Sequence, residues 1–397
     1  MQNQDPSAFF RGQTIFLTGG TGGLGGCLLY KLALKVDARK IFILVRGSAA
    51  QAMASWAKTI PGQIASILAT KKVHLMVGDI TKRNCGIDPA ILAEMGEQVT
   101  LVIHCAANTN LMAPIHQTIA DNCIPTLQLA ELASTFKNLS RFVHISTAYV
   151  NSFLPDGVVE EKIYDTGDAE QQLLEVMQTG SVSHSAPKYD WVAPYTFSKY
   201  LTERLLLLRN PCLPILIVRP TAIGPAISEP YSYYGPSQSC PVTTYIRTYM
   251  KAPDSGVFHV SARHPTGSNI VDEIPVDFVA NIILLHIVHG TGGIVHAGAQ
   301  SYVPRTLSQF HSDICASSPS EFGPFTYVTD RTIEQGQHAQ FWKAASRDWH
   351  FSNRATMSFL AVKGPLSIAL EGHDAARFMR NRVMILAEEV LKSRTRL

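Results

Sequence analysis

The stretch from Trp191 to Leu208, WVAPYTFSKYLTERLLLL, has the pattern of a helix that is mostly packing surface but carries a phenol and an ammonium. Tyr195 and Lys199 stand four residues apart, so on a helix they share one face, a turn apart. Taken alone the spacing is common and says little. Its chemistry is nonetheless definite. A phenol with a pKa of about 10 exchanges protons poorly at neutral pH, and a neighbouring ammonium is expected to lower that value by favouring the phenolate. Upstream, HISTAYV (144–150) closes a β-branched run with two hydroxyls, Ser146 and Thr147. A strand-end hydroxyl and a Tyr–Lys helix could together hold a carbonyl oxygen on which negative charge collects. Losing one such donor typically costs about 3 kcal/mol of transition-state stabilisation.

These groups need a scaffold, and the chain supplies the pattern of one. TIFLTG (14–19), KIFILVR (40–46), KVHLMVGDI (72–80), TLVIHCAA (100–107), RFVHISTAYV (141–150) and PILIVRPTAI (214–223) read as strands. Helical segments such as CLLYKLALK and TLQLAELASTF lie between them. This alternation predicts an α/β fold, a doubly wound parallel Rossmann sheet with helices on both faces. From Gly224 the chain turns rich in Pro, Ser and Tyr, which marks its exit from the sheet. IPVDFVANIILLHIVHG (274–290) and GGIVHAG then read as a helix and strand that return to it. The expected division is a nucleotide-binding domain of residues 1–225 plus about 268–300. A smaller, mostly helical substrate lobe would take about 226–267 plus 301–397. Met379, Val383, Leu386 and Val390 form an apolar stripe near the C-terminal end.

TGGTGGLGG (18–26) follows the first strand and opens the first helix, with Gly19, Gly22 and Gly25 in GxxGxxG spacing. The first two glycines allow a tight turn and close approach of a pyrophosphate; the third lets helix and strand pack. The helix N-terminus adds unpaired N–H groups and a positive dipole end. Thr21, Gly23 and Leu24 belong to the same cradle. Arg46 ends the second strand, where an NAD site usually presents a carboxylate, and no acidic residue lies between Asp37 and Asp79. A guanidinium can clamp a 2′-phosphate but cannot accept from a 2′-hydroxyl, so NADPH is the expected cofactor. Asp79 and Ile80, after the third strand, would sit at the adenine edge. Ala106 in the HCAAN turn would pass the ribose and diphosphate. Lys199 would hold the nicotinamide ribose, and Pro220 and Ile223 would complete the nucleotide's surroundings.

Composition narrows the class further. Of 397 residues, 46% are apolar and 16% charged, which suits a substantial core rather than disorder. A net charge of +3 is too mild to imply nucleic acid and is compatible with an anionic cofactor. The seven cysteines form no CxxC pair and several fall in apolar segments, which favours reduced thiols and a cytoplasmic location. No signal peptide opens the chain and no apolar run reaches the roughly 18 residues of a membrane span. No metal-ligand spacing occurs, and neither HExxH nor GxSxG is present.

A glycine loop, then a strand-end Ser/Thr, then YxxxK resembles the active-site order of the short-chain dehydrogenase/reductase superfamily. Longer phrases narrow the likeness. FFRGQTIFLTGGTGGLGG, IFILVRG, RFVHISTAYVN with VVEEKIYD, APYTFSK, IVRPTAIGPAISEP and DEIPVDFVANIIL resemble, in order, segments of the fatty acyl-CoA reductases and related thioester-reductase domains. The likeness runs from about Phe9 to His286. It implies an extended fold of that superfamily and NADPH-dependent reduction of an acyl thioester, carried by CoA or a carrier protein, to the aldehyde or onward to the alcohol. It also implies catalytic roles for Thr147, Tyr195 and Lys199; Thr147 is preferred to Ser146 because it precedes AYV, as the active hydroxyl does in extended members. The 48-residue interval from Thr147 to Tyr195 agrees with the insertion found in acyl reductases.

Departures from the pattern are informative. Pro125 replaces a glycine in the fourth helix, so the packing around it must differ. The usual Pro-Gly-Trp phrase is missing after the sixth strand, and the chain beyond about residue 300 does not match the family's long tail and membrane anchor. Two other readings stay open on the sequence: a dehydrogenase or epimerase acting on a secondary alcohol or sugar nucleotide, and a non-catalytic NADPH-sensing protein.

Overall fold

A computed structural model describes residues 6–181, 191–235, 240–317, 324–341 and 343–394. Its centre is a seven-stranded sheet: β1 (Thr14–Thr18), β2 (Lys40–Val45), β3 (Val73–Val77), β4 (Leu101–His104), β5 (Arg141–Ile145), β6 (Ile215–Pro220) and β7 (Gly293–Ala297). The spatial order is β7-β6-β5-β4-β1-β2-β3, and every neighbouring pair runs parallel. This is the doubly wound order, with its topological switch between β1 and β4. The inner strands β1, β4 and β6 are buried at every position. They read as continuous apolar runs because helices cover both faces.

On one face lie α1 (Gly23–Tyr30), the helix Ala49–Thr59 and α4 (Val276–Val288), packed through residues such as Leu28, Trp56, Ile282 and Leu285. The intervening helices α2 (Pro194–Arg209) and α3 (Pro241–Lys251) take different places. Helix α2 joins the helix Ile124–Ala133 on the opposite face, where Leu201 and Leu205 meet Phe142, Ile215 and Ile217. Helix α3 packs away from the sheet with α5 (Leu307–Ser317) and α6 (Ala375–Arg394) around Val242, Ile246, Phe310 and Ile314. The stripe Met379, Val383, Leu386 and Val390 is buried in that third core. Phe359, Leu366 and Ile368 instead join the core around α1 and α4.

Three local features depart from the sequence reading. The fifth strand stops at Ile145, and Ser146 and Thr147 lead into a single 3-10 turn, Ala148–Asn151, rather than continuing the strand to 150. Helix α1 passes into a π turn over Lys31–Lys35. Pro125 falls in the first turn of Ile124–Ala133, directly after another π turn, Ile119–Cys123. The wider register there is where the N–H that proline lacks is needed least, so the helix accommodates it.

Candidate active site

The glycine cradle is a set of backbone contacts that side chains would block. Gly19 leaves β1 at φ +74, a left-handed conformation, and Gly22 N–H donates to Gly19 O at 2.9 Å. A Cβ on Gly19 would lie 2.6 Å from Ala106 N, and one on Gly25 would lie 2.1 Å from Gly19 O. The β1 loop, the β4 loop and α1 therefore approach one another as only glycine permits. Gly22 caps α1 without any side-chain hydrogen bond, leaving the first N–H groups of the helix available to an anion. These features fit a dinucleotide pyrophosphate.

Sequence reasoning missed the groups that hold this cradle. Trp56 Nε1 donates to Gly20 O at 2.9 Å, and Tyr234 O–H donates to Gly23 O at 2.8 Å. Tyr234 comes from the Pro/Ser/Tyr-rich exit segment, and a Cβ on Gly26 would lie 2.5 Å from its oxygen. Beneath the β4 loop, the Thr18 hydroxyl meets His104 Nδ1 at 2.8 Å and accepts Ala106 N–H at 3.2 Å. His104 Nε2 meets the Thr126 hydroxyl at 2.9 Å. Burial, reinforced by the charge of Lys199, pushes His104 down to about 3, so it is a neutral strut. Only the run of Thr, His and Thr in otherwise apolar elements hinted at this layer.

The other nucleotide candidates line the same carboxyl edge. Arg46 is exposed just past β2. Asp79, past β3, lies close enough to feel its charge. Asp79 is held below the usual carboxylate range by the Thr81 N–H first, with the Thr81 hydroxyl and Arg46 assisting. Ile80 follows it, half-buried; Pro220 ends β6, and Ile223 lies half-buried in the short strand Ala222–Gly224.

The candidate reacting groups lie at the end of β5 and the start of α2. Pro194 opens α2 in its first turn, where a missing N–H costs nothing. Tyr195 follows, half-buried, and Lys199 lies one turn on and buried. Lys199 Nζ donates to Ile145 O at 2.9 Å, tying α2 to the strand end that precedes Ser146 and Thr147. Thr147 Oγ1 accepts Tyr149 N–H at 3.3 Å, which leaves its own proton free to donate. Ser146 Oγ is buried and has no hydrogen-bond partner among the described residues.

Electrostatics correct one expectation. Tyr195 is raised, not lowered: burial is the main cause, with Cys105 adding to it. The ammonium does not offset this because Lys199 is aimed at the Ile145 carbonyl and is itself held down to about 8 by burial, against opposing contributions from Cys105 and Glu203. At neutral pH Tyr195 is therefore a neutral phenol that keeps its proton. One further turn along α2, Glu203 forms a fully buried pair with Arg219 of β6, with Nε to Oε1 at 2.9 Å. Arg219 also donates to Lys162 O at 2.9 Å.

A parallel sheet in this order with a glycine cradle at its first loop is the fold of the extended short-chain dehydrogenase/reductases, a class of nicotinamide-dependent oxidoreductases. Residues 17–283 match the family model described as male sterility protein, a model of NAD-binding domains, and the chain belongs to that family. Among curated relatives it is 28% identical to human fatty acyl-CoA reductase 2 over 298 residues, covering 70% of this chain and 55% of that one. It is 26% identical to the mouse fatty acyl-CoA reductase 2 over 370 residues, covering 88% and 67%. The chain thus spans between about half and two-thirds of these relatives' lengths. Among solved structures, the terminal R domain of the myxalamid PKS-NRPS pathway superposes with a TM-score of 0.68 at 18% identity, covering 97% of this chain and 92% of that one. The reductase domain of a non-ribosomal peptide synthetase from Mycobacterium tuberculosis gives 0.61 at 18%, covering 98% and 95%. Both share the fold. No helix of the described residues is long and apolar enough to cross a membrane.

Proposed function

We propose that this chain reduces an acyl thioester, borne by CoA or a carrier protein, to the aldehyde, with NADPH as reductant and a cytoplasmic place of action. The observation that carries the reading is the tie from Lys199 Nζ to Ile145 O, which holds the helix bearing Tyr195 and Lys199 against the strand end that leads into Thr147. The names of the fatty acyl-CoA reductase relatives and of the reductase domains supply the substrate class. Gly19, Gly22, Gly25 and the uncapped start of α1 would hold the pyrophosphate, Arg46 the 2′-phosphate, and Lys199 the ribose hydroxyls. Bound there, NADPH would supply the hydride.

The chain's own residues do the rest. Tyr195, neutral because burial raises it, donates its proton to the substrate carbonyl oxygen as negative charge develops there. The Thr147 hydroxyl, its oxygen already accepting from Tyr149 N–H, points its proton at the same oxygen. As the tetrahedral centre collapses its C–S bond breaks, its O–H returns a proton to the Tyr195 phenolate and the departing thiolate takes one from solvent, leaving aldehyde and thiol.

Tyr195→Phe tests this. The variant should lose NADPH consumption on acyl-CoA or carrier-bound thioesters by about a hundredfold or more while binding NADPH normally. Near-normal turnover would remove Tyr195 from the mechanism. Oxidation of secondary alcohols or sugar nucleotides without any thioester turnover would replace the reading altogether.

A further inference from the structure

Between α3 and α4 the chain turns through SARHPTGS (261–268), and there a second set of reactive side chains comes together. The His264 ring links two groups: its Nδ1 meets the Ser268 hydroxyl at 2.8 Å and its Nε2 meets Asp348 Oδ2 at 2.9 Å. Asp348 is 4% exposed, His264 is half-buried and Ser268 is exposed. A hydroxyl, an imidazole and a carboxylate joined in series are recognised by geometry and role, not by sequence position. The carboxylate lies 84 positions from the histidine, so no local motif announces the set.

The series is held at both ends. His264 N–H donates to Ser261 O at 2.8 Å and Gly267 N–H to His264 O at 3.0 Å, which closes the turn. Gly267 has φ +72, and a Cβ there would lie 2.8 Å from the Tyr327 ring, so the residue before Ser268 turns as glycine permits, against an aromatic surface. Just past Ser268, Asn269 Nδ2 donates to Ala345 O at 2.7 Å and ties the turn to the segment that carries Asp348. Asp348 is fixed through its backbone: its N–H donates to Asp156 Oδ1 at 3.2 Å, and its carbonyl accepts Gly157 N–H at 2.9 Å.

Chemistry gives each member a role. A carboxylate only accepts, so Asp348 holds the proton of a neutral imidazole on Nε2 and leaves the Nδ1 lone pair facing the Ser268 O–H. Nδ1 is then the base and Ser268 Oγ the nucleophile that it activates. The two ring nitrogens are exchanged relative to the serine-protease triad, but the roles are the same. Among the described residues no Lys or Arg pairs with Asp348; its other oxygen lies 3.3 Å from His350 Nε2. Ser268 N–H makes no hydrogen bond among those residues, which leaves it open to a carbonyl oxygen.

We propose that Ser268, His264 and Asp348 form a hydrolytic centre, sharing no residue with Thr147, Tyr195 and Lys199, that cleaves short acyl esters and thioesters without NADPH. Ser268 Oγ bonds to the carbonyl carbon as its proton passes to His264 Nδ1. The C–O or C–S bond then breaks, and the leaving alcohol or thiol takes that proton. Water attacks the Ser268 ester, giving one proton to Nδ1 that returns to Ser268 Oγ as the acid departs. Because Ser268 is exposed, the substrates are those whose carbonyl can be reached from solvent.

The test incubates the full chain with p-nitrophenyl butyrate and with butyryl-CoA, no NADPH added, and follows nitrophenolate and free thiol. The wild type should turn over both, and a fluorophosphonate probe should label Ser268, located by peptide mass spectrometry. S268A and H264Q should each lose about a hundredfold or more in kcat/KM. S268A changes an exposed side chain, so its thermal midpoint should match the wild type. A wild type that neither hydrolyses nor takes the label overturns the proposal, as does a label on another residue. Turnover by S268A equal to the wild type also overturns it and makes the three side chains a lock for the turn. With no NADPH present, none of these outcomes depends on whether the chain reduces thioesters.

Discussion

Gly25→Ala is a perturbation whose size can be worked from the cradle. The new Cβ would sit 2.1 Å from Gly19 O and 2.7 Å from Gly19 C, both backbone atoms. Ordinary contact begins at 3.4 Å, so α1 and the Gly19 peptide must part by roughly 1 Å. Neither is free to do so: Gly19 also abuts Ala106 N, and Gly22 N–H is bonded to Gly19 O. Overpacking of this kind costs about 1–3 kcal/mol of stability. A shift of about 1 Å also misdirects the first N–H groups of α1, a displacement that can cost on the order of 100-fold in a site built on position. Thermal midpoint and NADPH affinity, the latter by fluorescence titration, should both fall. Gly96 is the control. It lies in the helix Pro89–Gln98 with nothing within 4 Å of its Cβ position, so Gly96→Ala should stabilise by about 0.5–1 kcal/mol and leave NADPH binding alone. If Gly25→Ala binds NADPH within twofold of wild type, the cradle is not a phosphate site.

Three further outcomes follow from the same geometry. Arg46→Glu should weaken NADPH by about tenfold or more and NADH far less, because the 2′-phosphate loses a charge-assisted partner; equal changes in the two dissociation constants would refute its assignment. Glu203→Gln leaves Arg219 buried beside a neutral partner and should cost about 3–5 kcal/mol in urea unfolding, with a loss under 1 kcal/mol counting against the pair's role. Lys199 is held at about 8 when folded against an ordinary 10.5, so the folded chain binds fewer protons between those values. Its contribution to stability should be constant below about pH 8 and rise from there to about 10.5. Urea midpoints of wild type and Lys199→Met measured across that range should therefore diverge; parallel curves would mean that Lys199 is not buried as described.

How far the sequence can be read here depends on the range of the interaction. The strands, α1 and the α2 start were legible because a hydrophobic run, a glycine trio and a Tyr–Lys spacing are local signals whose meaning survives without neighbours. So was the apolar stripe of α6, whose period announces a buried face. The end of β5 was not. The HISTAYV run is β-branched enough to continue as strand; Ser146 N–H to Val218 O is its last ladder bond, and the cap by which Thr147 Oγ1 accepts Tyr149 N–H then turns the chain into the Ala148–Asn151 turn.

What the residues alone determined is the order of the parts: phosphate loop, strand-end hydroxyls, then phenol and amine, each tied to an element that forms from nearby chain. Tertiary structure decided what those parts are electrically and how they are held. Burial raises the Tyr195 phenol so that it keeps its proton, and Lys199 is aimed by a carbonyl 54 positions away. Trp56 and Tyr234 brace a glycine loop from 36 and 211 residues distant. Burial and long-range contact are properties of the packed chain as a whole, and no window of sequence contains them.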